Sequence, residues 1–498
     1  MRQRIIHYIR AGYPGLFIVS HEESRVEAEL KSIAGECGYA LHAWSATEGL
    51  VEVGTGDVQG VNEPLEAVWA ANELPDNTLI VFRDIHLFLE DANPVFIRTL
   101  KESLRTAKTR GKTFLFLGCR PVLPPELERE VTVLHFALPD KPVLGVVLDG
   151  ICESASLETP GGSGRDLLLD AASGLTTTEA ENAFALSVVE AGHVEPGIVA
   201  REKAATVKRG GLLEIHDRGE SLDDIGGLDV LKDWLLKRKD AFSLKAVEYG
   251  LPSPKGLLII GIPGTGKSLT AKAVATVFQR PLLKLDAGRL YGGLVGQSEG
   301  NLRAVIETAE AIAPCVLWLD EIEKGFSGSK SSGISDGGTS SRVFGSFISW
   351  MQEKTKAVFV VATANDVTQL PSEFLRKGRF DEMFFVDLPN QAERELIWSI
   401  QIAKYGRDPG KFDTGTLAKA TEGFTGAEIE QLFIDALYAA FAHAKEPTTL
   451  GISMLLDAAV PLSRLMAEQI AALRDWAQGR ARLATVKGSG RQSRKIAV

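Results

Sequence analysis

Short apolar runs alternate with mixed, helix-like stretches along most of the chain. Residues 16–19, 79–82 and 114–117 are runs of four, the length of buried strands, and residues 24–33 have helical composition. The start, residues 1–10, is basic and amphipathic. It lacks a long apolar stretch and a small-residue cleavage site, so it predicts a first core helix rather than a targeting peptide. A helical region extends to about Ala191, with a loop at 159–164. Residues 193–216 read as a connector with a short helix that starts near Pro196 and ends at Gly210-Gly211. A second alternating region begins near Ser221, with strands at 257–260, 282–285, 316–319 and 358–361. The chain is helical again from Gln391, and its basic tail from Arg480 is expected to be mobile. Strands alternating with helices predict an α/β fold with a mostly parallel sheet covered on both faces.

The two alternating regions resemble each other. Residues 15–20 parallel 256–261, 79–86 parallel 316–323, and 114–127 parallel 359–374. Gly174-Leu175-Thr176 with Glu179 and Glu181 parallels Gly423-Phe424-Thr425 with Glu428 and Glu430. Four pairs in one order at nearly constant offset predict a duplicated unit, and a duplicated unit requires one strand order in both copies.

At 498 residues the chain has room for about three folding units at roughly 150 residues each. A net charge of −10 gives no global basic field for nucleic acid. Cys37, Cys119, Cys152 and Cys315 are scattered, as are the eight histidines, so neither a metal cluster nor a disulfide framework is expected. No apolar run approaches the ~20 residues of a membrane span. A cytoplasmic protein is the expectation.

The chemistry concentrates in the second region. Gly261-Ile262-Pro263-Gly264-Thr265-Gly266-Lys267-Ser268 follows an apolar strand, and Leu269 opens a helical stretch. Glycines at this junction let backbone N–H groups face phosphates at a helix N-terminus; Lys267 would reach the β- and γ-phosphates of ATP and Ser268 would ligate Mg²⁺. The strand 315–319 ends in Asp320-Glu321. Adjacent carboxylates there are costly unless they serve a cation or a reaction: Asp320 would hold Mg²⁺ and Glu321 would orient and deprotonate water. Asn365 ends a third strand and could bond the γ-phosphate or that water. Arg376 and Arg379 follow, suited to transition-state phosphate charge.

These residues, in this order and spacing, resemble the AAA ATPase family over about residues 221–445. The resemblance implies a P-loop AAA+ α/β core with a helical lid. It also implies contacts to adenine from Asp224-Ile225-Gly226, a lid contact through Gly426 and Ala427, and Arg376 and Arg379 acting in trans within a ring, most often a hexamer. Ala427 stands where other relatives carry an arginine, and Gln401 replaces a histidine that often contacts the base. Over its full length the chain resembles the uncharacterised AAA proteins of cyanobacteria, plastids and other bacteria named for a hypothetical chloroplast reading frame. That match rests on the N-terminal region, on Leu290 to Glu299 and on the ending Trp476-Ala477-Gln478-Gly479-Arg480-Ala481-Arg482.

The expected division is a degenerate AAA-like domain without a phosphate loop at 1–192, a linker at 193–220, the ATPase core at 221–390, lid and C-terminal helices at 391–478, and a basic tail at 479–498. In the first copy Ser20-His21-Glu22-Glu23 replaces the phosphate loop, Arg83-Asp84 replaces the acidic pair and Arg120 replaces Asn365. The expected activity is ATP hydrolysis by a ring that remodels or moves a protein partner. Alternatives are an assembly switch with slow turnover and a nucleic-acid-dependent ATPase using the basic tail. A threading loop would fall at Leu294-Val295-Gly296 near Tyr291, without the family's aromatic, and a second pore loop at 327–341.

Overall fold

The computed structural model describes residues 1–486, apart from 91, 210, 217–219, 287–289, 291–296, 327–336, 372, 377 and 457–458. Both pore-loop candidates therefore fall wholly or largely outside the described residues, as do the cations at 487, 491, 494 and 495. The chain forms two compact units, Met1–Ala200 and Arg201–Val498.

In the first unit, strands β1 (Gly15–Val19), β2 (Ala40–Ser45), β3 (Gly49–Glu52), β4 (Val58–Gln59), β5 (Thr78–Arg83), β6 (Thr113–Gly118) and β7 (Val131–His135) form one sheet, ordered β4-β3-β2-β5-β6-β1-β7. The five from β2 to β7 are parallel, and β3 and β4 extend the sheet as an antiparallel edge. Strand periodicity of two sends Leu16, Ile18, Leu79, Val81, Leu115 and Leu117 to one face, where Ile5, Ile9, Val26, Leu30 and Ile33 of helices Arg2–Arg10 and Glu23–Cys37 cover them. Phe17, Ile80, Phe82, Phe114 and Phe116 go to the other, under helices Pro64–Glu73 and Pro94–Thr109. Three helices, Lys141–Ser154, Gly162–Ala172 and Thr177–Ala191, follow with their own core around Leu148, Leu168 and Phe184.

In the second unit, β8 (Leu213–His216), β9 (Gly256–Gly261), β10 (Leu282–Asp286), β11 (Cys315–Asp320), β12 (Val358–Ala364), β13 (Glu382–Val386) and β14 (Arg482–Leu483) are ordered β14-β13-β9-β12-β11-β10-β8. The parallel core, β13-β9-β12-β11-β10, has the same order as β7-β1-β6-β5-β2 of the first unit. A different order would have excluded duplication. Helices Gln391–Lys404, Thr414–Ala420, Gly426–Ala442 and Thr449–Leu456 form a lid around Trp398, Ile402, Leu417, Ile429 and Phe433.

Several segments differ from their sequence reading. The connector holds its expected helix, Pro196–Arg209, but also the unforeseen β8, which pairs antiparallel with β10. The loop expected at 159–164 lies earlier, between helices that end at Ser154 and begin at Gly162. The tail is not free from Arg480. Arg482 and Leu483 pair with β13, and Ala484 is buried against helix Asp229–Leu236 and accepts from the backbone N–H groups of Val230 (3.0 Å) and Leu231 (3.2 Å). Two apolar residues among the tail's charges suffice for that anchor. No helix among the described residues is long and apolar enough to cross a membrane.

Candidate functional site

β9 is buried along its whole length and delivers residues 261–268 to the C-terminal edge of the sheet. Gly264 (φ +78°) and Gly266 (φ +90°) take the left-handed conformation that turns the loop into helix Lys267–Phe278. Within the loop the Thr265 hydroxyl donates to the Ile262 carbonyl at 2.7 Å. Lys267 is buried, and its Nζ donates to the carbonyls of Gly261 (2.9 Å) and Ile262 (2.7 Å). Burial pushes this ammonium down to about 8, against the opposing pull of Glu323, Glu321 and Asp320.

A triphosphate would give Lys267 the counter-charge that it lacks, so binding raises its pKa and takes up a proton when the free site is deprotonated. Binding of a non-hydrolysable ATP analogue should therefore take up about half a proton or more near pH 8.5 and close to none near pH 7. Affinity should fall as pH rises through about 8. Calorimetry in buffers of different ionisation enthalpy measures this; equal uptake at both pH values would remove Lys267 from the binding step.

β11 and β12 place the carboxylates beside the loop. The Thr363 hydroxyl donates to Asp320 Oδ1 at 2.9 Å and accepts from the Glu321 N–H at 3.0 Å, so one side chain holds both acids. Ser268 Oγ lies 3.4 Å from Asp320 Oδ1, and Lys284 Nζ lies 3.3 Å from Oδ2. Glu321 has φ +47°, uncommon for a residue with a side chain. Asn365 Nδ2 donates to Glu321 Oε1 at 3.0 Å, and Lys324 pairs with Oε2. The Asn365 N–H donates to Glu323 Oε1 at 3.0 Å, while the buried Glu323 Oε2 has no hydrogen-bond partner. Burial holds the Glu323 carboxyl above its ordinary range. A hydroxyl and a carboxylate, both hard oxygen donors, suit Mg²⁺. The described residues contain no cluster of three or more His, Cys, Asp or Glu that would serve a tighter protein-built metal site.

The lid closes on the loop from the other side. Thr425 caps helix Gly426–Ala442 through a box with Glu428, and the Ala427 N–H donates to the Gly264 carbonyl at 3.1 Å. Asp224 closes a short turn by accepting from the Ser221 N–H at 2.6 Å, and Ile225 is buried. Gly226 packs so closely on the lid helix that a Cβ would stand 2.4 Å from the Ile397 side chain. Next to it the buried Glu393 accepts from the N–H groups of Leu228 (3.2 Å) and Asn390 (2.8 Å) and from the Thr485 hydroxyl (2.7 Å). In the same lid helix the buried Gln401 Oε1 has no partner.

Residues 261–268, Asp320, Glu321 and Asn365 thus meet in one place, with Gly426 and Ala427 above the loop. Arg376 and Arg379 do not join them. Arg376 is exposed, Arg379 donates to the Glu373 carbonyl, and neither bonds the phosphate loop or the β11 acids. Sequence reasoning missed Thr363, Lys284, Glu323 and Glu393. A threonine within the apolar run of β12 and the second glutamate of Asp320-Glu321-Ile322-Glu323 were the available signals.

The first unit fills the corresponding places with its own charges. Glu22 is buried and accepts from the Thr177 N–H (2.6 Å) and hydroxyl (2.9 Å) at the start of helix Thr177–Ala191, and pairs with Arg25 at 2.5 Å. Arg83, at the place of Asp320, pairs with Glu27 and Glu48, each at 2.6 Å.

A five-stranded parallel core, a glycine-rich loop under a helical lid and paired acids on the next strand but one define a P-loop AAA+ fold. The chain belongs to the AAA ATPase family. The model of the ATPase family associated with various cellular activities matches residues 257–388, and an AAA+ lid domain matches 411–450. Residues 1–136 and 143–210 match the N-terminal and second domains of SpoVK-like AAA ATPases. Similar proteins span nearly the whole chain. An uncharacterised AAA domain-containing protein, ycf46, of Trieres chinensis is 41% identical over 97% of this chain and 98% of its own. Its namesakes in Guillardia theta (40%, covering 96% and 95%) and Pyropia yezoensis (39%, covering 96% and 98%) follow.

Proposed function

We propose that the second unit hydrolyses ATP and that the chain works as a ring, most simply a hexamer, that remodels or moves a protein partner. The observation carrying this reading is the joint hold of Thr363 and Asn365 on Asp320 and Glu321 beside the phosphate loop. Lys267 would leave its loop carbonyls for the β- and γ-phosphates. Asn365 keeps the Glu321 carboxylate oriented, and Glu321 takes the proton of a water as its oxygen attacks the γ-phosphorus. Mg²⁺, held by Ser268 and Asp320, would supply charge neutralisation on the phosphates. Arg376 and Arg379 would complete a neighbour's site.

In this reading residues 1–192 are a duplicate without ATP chemistry, joined through 193–220 to the core (221–390), lid and C-terminal helices (391–478) and tail (479–498). Glu22 supports it, since a buried carboxylate stands in the stretch that replaces the phosphate loop, where it would repel a nucleotide phosphate. Calorimetry with the full chain should give one ATP per chain, and Lys267→Ala should abolish binding altogether. A second binding event surviving Lys267→Ala would restore nucleotide chemistry to the first unit.

A further inference from the structure

The first unit carries a second constellation with no counterpart in ATP chemistry. Cys119 follows the C-terminal end of β6, directly after Gly118, and is an exposed residue. His86, just after the end of the neighbouring β5, is 3% exposed, and its Nε2 lies 3.6 Å from Cys119 Sγ. The other ring nitrogen, Nδ1, is buried without a hydrogen-bond partner and faces the Asp84 carboxylate, with Oδ1 at 3.8 Å. Asp84 itself has φ +50°, matching the +47° of Glu321 at the same place in the second unit. The backbone bend that presents one carboxylate to water there presents another to an imidazole here. Gly118 makes room for the ring, since a Cβ would stand 2.4 Å from His86 Nδ1.

We propose that Cys119 is an activated thiol that exchanges with small disulfides, with His86 as its base and the Asp84 carboxylate facing the far side of the imidazole. The thiol proton passes to His86 Nε2 as Sγ attacks one sulfur of the incoming disulfide. A new S–S bond joins Cys119 to that half, the reagent's own S–S bond breaks, and the departing thiolate leaves as a thiol after taking the proton from His86. Cys119 is oxidised and the departing half is reduced, so the exchange balances without a further oxidant. Burial is the largest influence on His86 and keeps the ring neutral at physiological pH, where it can accept a proton. Arg120 acts in the same direction; Asp84 and Glu90 oppose it. Arg120 pairs with Glu90. The other cysteines are natural controls. Cys37 is half-buried, while Cys152 and Cys315 are buried, the last pushed up to about 12.

The test uses the full chain and glutathione disulfide near neutral pH, with mixed disulfides quantified by peptide mass spectrometry. Cys119 should react at least about tenfold faster than Cys37, and Cys152 and Cys315 not at all in the folded protein. His86→Gln should remove that advantage while ATP turnover is unchanged. Reaction of Cys119 at the Cys37 rate, or an unchanged rate in His86→Gln, would overturn the proposal. Should the variant fold poorly, the pH profile of the parent decides. With His86 as base the Cys119 rate levels off below neutrality, whereas an ordinary thiol keeps accelerating toward about 8.5 and sinks the idea.

Discussion

Glu321→Gln is expected to lower kcat by a factor on the order of 10²–10⁴ while ATP affinity changes less than about twofold. The substitution preserves shape. The amide oxygen can still accept from Asn365, and the Glu321 N–H keeps its bond to Thr363, so the strained bend survives. What is lost is the ion pair with Lys324 and, above all, a group able to take a proton from water. Single-turnover hydrolysis beside equilibrium binding separates the two effects. Turnover at the parent rate would move the base elsewhere. Glu323 would then be the next candidate, because it is buried, holds a raised pKa and keeps one oxygen unpartnered next to Asn365.

Replacing Arg376 and Arg379 together with alanine is expected to cost about 10³–10⁵ in kcat, again with nucleotide binding intact. Neither guanidinium bonds the phosphate loop or the β11 acids of its own chain, and Arg379 is turned toward the Glu373 carbonyl, which fits the proposed role at another copy's site. Mixing makes this decisive. The double-arginine variant offers intact phosphate loops, and Lys267→Ala offers intact arginines. Turnover should appear in the mixture that neither variant shows alone, and no gain at any ratio would place the arginines in cis.

The central strands were legible because β9, β11 and β12 are continuous apolar runs, as a parallel strand buried on both faces must be. β2, β7 and β13 mix polar and apolar positions and carry no such mark. The phosphate loop and the acid pair were legible as local spacing. Thr363 was not, because its importance lies in reaching across to a neighbouring strand, which no linear pattern states. Glu393 is similar: it looks like an ordinary capping-box glutamate, yet it ties together the Leu228 N–H and Thr485, 165 and 92 residues away. Strand β8 in the connector was not legible because it pairs with β10 and not with a sequence neighbour. Arg482 and Leu483 were misread because two residues are too few to show a period.

Those last two strands have a common consequence. β8 and β14 come from opposite ends of the second unit's chain, and each covers one flank of the five-stranded parallel core. Both are short, at four and two residues, and they carry Glu214, His216 and Arg482. An uncovered flank would offer a row of unpaired N–H and C=O groups to any extended peptide and invite aggregation. By covering both flanks with its own ends the second unit withholds the parallel core as a template, and strand addition could reach only the four-residue β8 and the two-residue β14.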